Sequence, residues 1–369
     1  SALPALSMQK TTNIGKALYE MGIANRTFLS LGLVGELQNN VNNPETGILP
    51  LVPNYISAQP GGFIILKRNG KKLFTELGMR YDYKSFAVKA ISESLPRKIE
   101  ESNLGFQNIN VMAGANYEIT KKMKLNASIG YVERAPEINE LFSNGLHQGV
   151  SGIEEGNKNI VSEKSYKALL SYEVQLKNKV FFQALGYYQW IKDFIYLQPQ
   201  DSFRLTIRGA YPLFLYKQTD VVIYGSDLLM TYEPRNNLRF ILKYAALKGK
   251  NVSDNLTLIN LPSNNMSLAI RYSIKDKKRW KNNNIKLGLR HVFQQDIILG
   301  EQDYVNPPAA YSLFSFNANT TLQFKKTNLK IGLEVENLLN EKYKDYLDRQ
   351  RYYAFAPGRN VKLKVGLLF

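Results

Sequence analysis

The sequence has no cysteine, two histidines and two tryptophans. Without cysteine there can be no disulfide, no thiolate metal site and no thiol nucleophile. The histidines lie far apart, at 147 and 291, and there is neither a Gly-x-Ser-x-Gly elbow nor a phosphate-cradling glycine loop. Nucleophilic and metal-assisted catalysis therefore have nothing to stand on, so neither an enzyme nor a cofactor is expected. Long apolar runs are missing too. No segment approaches the roughly 18 to 20 apolar residues of a membrane helix, and the mean hydropathy is -0.29. That excludes a helical membrane protein but not a β-barrel, in which only alternate residues of each strand face lipid. No basic segment followed by an apolar stretch opens the sequence, so no secretion signal is expected within these residues.

Acidic residues are few relative to basic ones: 31 Asp and Glu against 48 Lys and Arg, a net charge of +17 over 369 residues. Such an excess points to an anionic partner. Much of it sits in short turns, Lys121-Lys122, Lys177-Asn178-Lys179, Lys275 to Lys281 and Lys325-Lys326, and not on one face interleaved with aromatics. A nucleic-acid partner is therefore not expected.

What the chain does have is alternation. In its last segment Val361, Leu363, Val365, Leu367 and Phe369 fall on one side of an extended strand, and Asn360, Lys362, Lys364 and Gly366 on the other. One side suits lipid and the other water. Residues 73 to 83 repeat the pattern, with Leu, Thr, Leu, Met, Tyr and Tyr alternating with Phe, Glu, Gly, Arg and Asp. A strand face carrying Glu76, Arg80 and Asp82 is no soluble core, whereas a barrel interior accepts it.

Hairpins follow one another: 62–68 turns at Asn69-Gly70 into 73–83, 108–119 into 124–134, 165–176 into 180–190, 222–232 into 238–246, 268–274 into 285–293, and 314–324 into 329–335. Long polar segments separate the pairs, at 38–60, 84–104, 135–162, 193–219, 248–262, 295–310 and 339–358. Short turns alternating with long connections are the mark of outer-membrane barrels. The fold expected is all-β, a transmembrane antiparallel up-and-down β-barrel with about fourteen strands present. Residues 1–25 carry no assignment and 26–369 form the barrel domain. Aromatics near strand ends, including Tyr81, Tyr131, Trp190 and Phe293, are expected to form interfacial girdles.

Two stretches carry a family resemblance. Tyr131-Val132-Glu133-Arg134-Ala135-Pro136 through Glu140-Leu141 to His147 is one; Glu336-Asn337-Leu338-Leu339-Asn340 through Ala356-Pro357-Gly358-Arg359-Asn360 to Phe369 is the other. Both resemble the TonB-dependent receptors of Gram-negative outer membranes. The resemblance implies a receptor that binds a scarce nutrient, an iron complex such as a ferric siderophore by default, with zinc or haem as further cargo. Such a receptor passes its cargo to the periplasm when the TonB complex acts on an internal plug domain. It implies outer-membrane lipid, lipopolysaccharide and the barrel assembly machinery as partners. No plug is read in this sequence, and about fourteen strands fall short of the 22 of plugged transporters. The chain is therefore expected to be the carboxy-terminal part of a 22-stranded barrel; the alternative is an ungated porin-like or structural barrel.

Candidate site residues follow. His147, Glu154 and Glu155 offer an imidazole and two carboxylates to a divalent metal, in a loop that resembles the loop of zinc-uptake members. Arg349, Arg351, Tyr352 and Tyr353 have the chemistry to grip an anionic or catechol-type ligand by charge-assisted hydrogen bonds and stacking. Arg80, Arg134 and Arg290 are expected in the lumen as ligand-path or plug-pairing groups. Leu363, Val365, Leu367 and Phe369 make up the barrel-assembly signal, and His291 is expected to face outward.

Overall fold

The computed structural model describes residues 7–43, 50–89, 100–177, 179–206, 209–296 and 303–368. Six long strands open the chain: β1 (Met8–Ala24), β2 (Thr27–Asn42), β3 (Tyr55–Asn69), β4 (Leu73–Val88), β5 (Ser102–Thr120) and β6 (Met123–Arg134). A short helix α1 (Ile138–Phe142) and two short strands, β7 (Asn144–His147) and β8 (Gly152–Glu155), follow. Then come β9 (Glu163–Leu176), β10 (Val180–Thr206), β11 (Gly209–Arg235), β12 (Leu238–Asn251) and the two-residue β13 (Leu256–Thr257). The last five are β14 (Asn265–Ser273), β15 (Trp280–Val292), β16 (Tyr311–Gln323), β17 (Asn328–Glu336) and β18 (Asn360–Leu368). All eighteen belong to one sheet. Apart from β7, β8 and β13, which lie in loops, the strands pair antiparallel with their successors in the chain, from β1 with β2 to β17 with β18.

One parity runs across the whole sheet. On the outer face the ladders set Tyr19 opposite Leu31, Leu31 opposite Ile64, Ile64 opposite Met79, and Met79 opposite Val111. At the other end Leu242 faces Leu268, Leu268 faces Leu289, Leu289 faces Phe314, and Leu333 faces Leu363. On the inner face Lys67 is set opposite Glu76, Lys124 opposite Glu173, and Glu334 opposite Lys362. A one-residue slip anywhere would put charge into lipid, so the pattern fixes the register.

Every strand expected from sequence is present, but the count of about fourteen needs correcting. Strand β1 adds Met8–Ala24, within the residues left unassigned. Alternation does not reveal it, because apolar residues stand on both of its faces, Tyr19 and Met21 outward and Ile14 and Leu18 inward, and only pairing with β2 separates them. The 193–219 stretch, expected as a loop, instead extends β10 and β11 to 27 residues each. At ~3.3 Å per residue such a strand reaches about 90 Å, far beyond the roughly ten residues that cross a bilayer. This hairpin therefore projects from the sheet, with bulges between Ile191 and Phe194 and between Pro199 and Phe203. Within 135–162 the chain likewise builds α1, β7 and β8, and β8 pairs parallel with the projecting part of β11.

On the inner face, at the end bearing the long connections, lies a core of its own. Ile138, Leu141 and Phe142 of α1 pack against Tyr55, Phe86, Val88, Ile160 and Ile195. Helix α1 starts on a capping box, the Glu137 and Glu140 side chains each accepting a backbone N–H of the other end of the turn. Gly156 lets the returning chain close on it: a Cβ there would stand 2.5 Å from the Leu141 backbone.

Candidate ligand site at the long-loop end

Arg134 anchors this end. It donates to Glu163 at 2.7 Å and to both oxygens of Glu140 at 3.0 and 3.1 Å, tying β6 to β9 and to α1. Glu163 also accepts the Ile195 backbone N–H at 2.6 Å, and Lys84 binds Glu137 at 2.7 Å. Asn139 donates to the Tyr216 hydroxyl, whose pKa is pushed up to about 12, chiefly by burial. These bonds fold the 135–162 connection inward over the lumen wall.

Onto that base the last loop is clamped. Glu154 is 3% exposed, and its carboxylate accepts from Arg349 Nη1 at 2.6 Å while the same oxygen lies 2.9 Å from His147 Nδ1. The Arg349 guanidinium lies 4.2 Å from the Phe214 ring centroid on β11. Gly152 of β8 leaves the room, since a Cβ there would meet Phe214 at 2.7 Å and Arg349 at 3.1 Å. Tyr353 donates to the Ser151 carbonyl at 2.9 Å, and Gln350 donates to that of Gly149.

A second clamp stands beside it. The buried Arg351 guanidinium pairs with Asp303, donates to the Tyr346 carbonyl at 2.9 Å, and lies against the rings of Tyr346 and Tyr352. Tyr352 donates to Asp303 at 2.6 Å. Tyr304 packs on Phe203, Phe214 and Tyr352 and donates to the Leu213 carbonyl at 2.7 Å. Four segments, 135–162, the β10–β11 projection, 303–310 and 343–356, thus converge on Phe214 and Tyr304.

Burial, and then the bond to Asp303, raise the Tyr352 pKa above its ordinary value of 10.0. The docked loop holds the protonated phenol, so this contribution to docking is complete below about pH 10 and is lost as pH rises past Tyr352's raised value. Digestion within 343–353 by an alkali-tolerant protease is expected to accelerate across that range, and Tyr352→Phe to remove the step.

The candidate metal set does not converge. Glu154 and Glu155 are consecutive on β8 and point to opposite faces; Glu155 pairs with Arg204 of the projecting hairpin. No group of three or more His, Asp or Glu side chains suited to a metal occurs among the described residues. The anion-grip residues do gather in one place, but their charge is spent on protein carboxylates. Arg349 retains Nε and Nη2, and Arg351 retains Nη1, without a partner among the described residues. Tyr353 is 54% exposed. Arg80 lies on the inner face and forks onto Asp82 at 2.6 and 2.5 Å. Arg290 is also on the inner face, opposite Ser267 and Leu313, while His291 faces outward against Phe293 and bonds Ser312 at 2.9 Å. Leu363, Val365 and Leu367 line the outer face; Phe369 lies outside the described residues.

Sequence reasoning missed Asp303, Tyr304, Phe214 and Glu163. Each becomes recognisable only through a partner far away in the chain, except that Asp303-Tyr304 is an acid–aromatic pair within an otherwise polar connection.

A family model described as TonB dependent receptor-like, beta-barrel matches residues 21–338. The chain belongs to that family. The TonB-dependent receptor-like family places it in the outer membrane of a Gram-negative bacterium. No described helix is long and apolar enough to cross a membrane. Among solved structures, "Copper transporter OprC" is similar with a TM-score of 0.77 at 19% identity, over 97% of this chain and 56% of that one. The FrpB iron transporter from Neisseria meningitidis (F3-3 variant) is similar at 0.70 and 15%, over 97% and 55%. The ferric yersiniabactin uptake receptor FyuA from Yersinia pestis is similar at 0.61 and 14%, over 99% and 55%. This receptor chain therefore spans little more than half the length of the structures it matches. Comparison with curated protein sequences gave no match.

Proposed function

We propose that this chain is the carboxy-terminal part of a 22-stranded, plugged receptor that captures a scarce metal complex with its long loops and passes it to the periplasm with TonB-supplied energy. The observation that carries the reading is the clamped loop cluster standing over a polar inner wall. Three things support a larger receptor: the family, the share of each similar structure that is covered, and the fifteen long strands set against the 22 of plugged transporters. An open strand edge is not tolerated in lipid, which favours further strands beside β1 and β18. The plug and the TonB complex are partners under this proposal, with the barrel assembly machinery inserting the product.

The cargo favoured is a metal, as an iron complex or as zinc or copper. His147 is held by Glu154 through Nδ1, which leaves Nε2 for a metal or its ligand. Arg204, 48% exposed at its side chain, and Tyr353, 54% exposed, offer charge and aromatic surface to an anionic complex. The test is uptake of labelled iron, copper and zinc by cells that depend on the full-length receptor under metal limitation. One metal should accumulate only when the receptor and TonB are both present, and His147→Ala should lower that uptake severalfold without lowering receptor levels. TonB-independent passage of all three would replace the proposal with an ungated barrel.

A further inference from the structure

The basic excess of the sequence has a definite place in the fold. Seven short turns join the long strands at the end away from the loop cluster, at 25–26, 70–72, 121–122, 177–179, 236–237, 274–279 and 324–327. They hold thirteen Lys and Arg against one acid, Asp276, whose carboxylate accepts the Asn282 backbone N–H at 2.9 Å. That is most of the net charge of +17, whereas the long connections at the other end hold more acids than bases. The short turns therefore make a cationic rim.

Four of these turns set two cations side by side at the tip. Lys71-Lys72, Lys121-Lys122, Lys278-Arg279 and Lys325-Lys326 are the central pairs of two-residue loops, closed by Gly70 with Leu73, Thr120 with Met123, Lys277 with Trp280 and Phe324 with Thr327. Such loops ordinarily take Asn, Gly or Asp, and Lys278 adopts a left-handed φ of 41° that suits glycine. All eight side chains are exposed, and none joins an ion pair among the described residues. Only Arg279 lies over a ring, that of Phe324 at 5.7 Å. Neighbouring like charges repel, so the turns gain no stability from them. A local rule broken with no structural gain marks a functional surface.

Successive turns are two strands apart, so cations recur about every 10 Å along the rim at ~4.8 Å per strand. Arg235 closes the strand before the one turn that has no cation of its own. An evenly spaced row suits a linear polyanion laid along it. A protein partner suits it less, because protein interfaces favour aromatic and Arg anchors and are poor in Lys, and eleven of the thirteen cations are Lys. Lipid headgroups meet the sheet at the outward aromatics Tyr117, Tyr232, Tyr272 and Trp280, and the turn tips run past that level into water. In outer-membrane barrels the short turns face the periplasm; the inference rests on the receptor reading for this orientation alone. The polyanion of that compartment is peptidoglycan, a glycan hung at regular intervals with stem peptides that carry free carboxylates. We propose that the rim docks the receptor on peptidoglycan, the paired tip cations of the four turns binding stem-peptide carboxylates.

The experiment cosediments full-length receptor in detergent micelles with purified peptidoglycan sacculi at low salt. The receptor should pellet with the sacculi and be released at about 1 M salt, where the Debye length is ~3 Å. Sacculi with amidated carboxylates should not bind it. Lys121→Gln, Lys122→Gln, Lys325→Gln and Lys326→Gln together should weaken binding about thirtyfold, the sum of four exposed ion pairs. Lys192→Gln, Lys217→Gln, Lys250→Gln and Lys342→Gln, which remove as much charge from exposed positions toward the long loops, should change nothing. Heat-modifiable gel migration confirms that each variant is folded. Equal binding of amidated sacculi, unchanged affinity in the turn variant, or displacement by phosphatidylglycerol added to the micelles would overturn the proposal while leaving the receptor reading in place. Orientation is read separately: a membrane-impermeant maleimide should label Lys326→Cys only after the outer membrane is permeabilised, and labelling of intact cells would overturn both.

Discussion

Leu363→Arg is expected to strip most of the receptor from the outer membrane, whereas Lys364→Gln, one residue along, leaves its level unchanged. Leu363 is 68% exposed on the outer face and stands opposite Leu333, close to the middle of both β17 and β18. A guanidinium at the bilayer midplane costs about 2 to 4 kcal/mol, a large fraction of a typical folding free energy. Lys364 points inward and meets Glu334 at 2.6 Å on a wet, largely exposed surface. Exposed pairs of that kind contribute ~1 kcal/mol or less. Immunoblots of membrane fractions, with heat-modifiable migration as the measure of folding, distinguish the two. Equal levels for both variants would mean that β18 does not face lipid as its register says.

Glu154→Ala is expected to undock the last loop. The Glu154 side chain is 4% exposed and holds Arg349, which is 24% exposed, at 2.6 Å. Removing one partner leaves the other's charge buried and unanswered, at a cost of about 3 kcal/mol. The carboxylate also orients His147, so loop order and metal capture should fall together. Hydrogen exchange across 343–356 should rise roughly a hundredfold, following that free energy, and uptake should fall with it. Adding Arg349→Met to Glu154→Ala should recover much of the protection, because the second change removes the stranded charge. A double variant as exposed as the single one would show that the pair is not what fastens the loop.

Between them these two residues mark how far reading the chain alone could go. Leu363 was legible because strand alternation is local: two neighbours on each side assign it to lipid. The same period of two identified every hairpin from 62–68 onward, the inner position of Arg80 and the outer position of His291. It failed at β1, where both faces are apolar, and at 193–219, where a soluble projection needs no lipid-facing stripe. Within 135–162 it gave no sign that Leu141 would be 1% exposed in a core.

Glu154 was legible only as a carboxylate. Its neighbour Glu155 looked like a second ligand for one metal, yet consecutive strand residues face apart, and Arg349, 195 residues away, claims Glu154. Loop pairings of that span carry no periodic signal. They depend on which segments the sheet brings to one end. Sequence by itself therefore determined most of the membrane strands and which of their sides meets lipid, since these rest on short-range alternation and turn chemistry. Tertiary structure alone decided which charges of the long loops neutralise one another and which remain for a ligand, because that depends on distances between residues far apart in the chain.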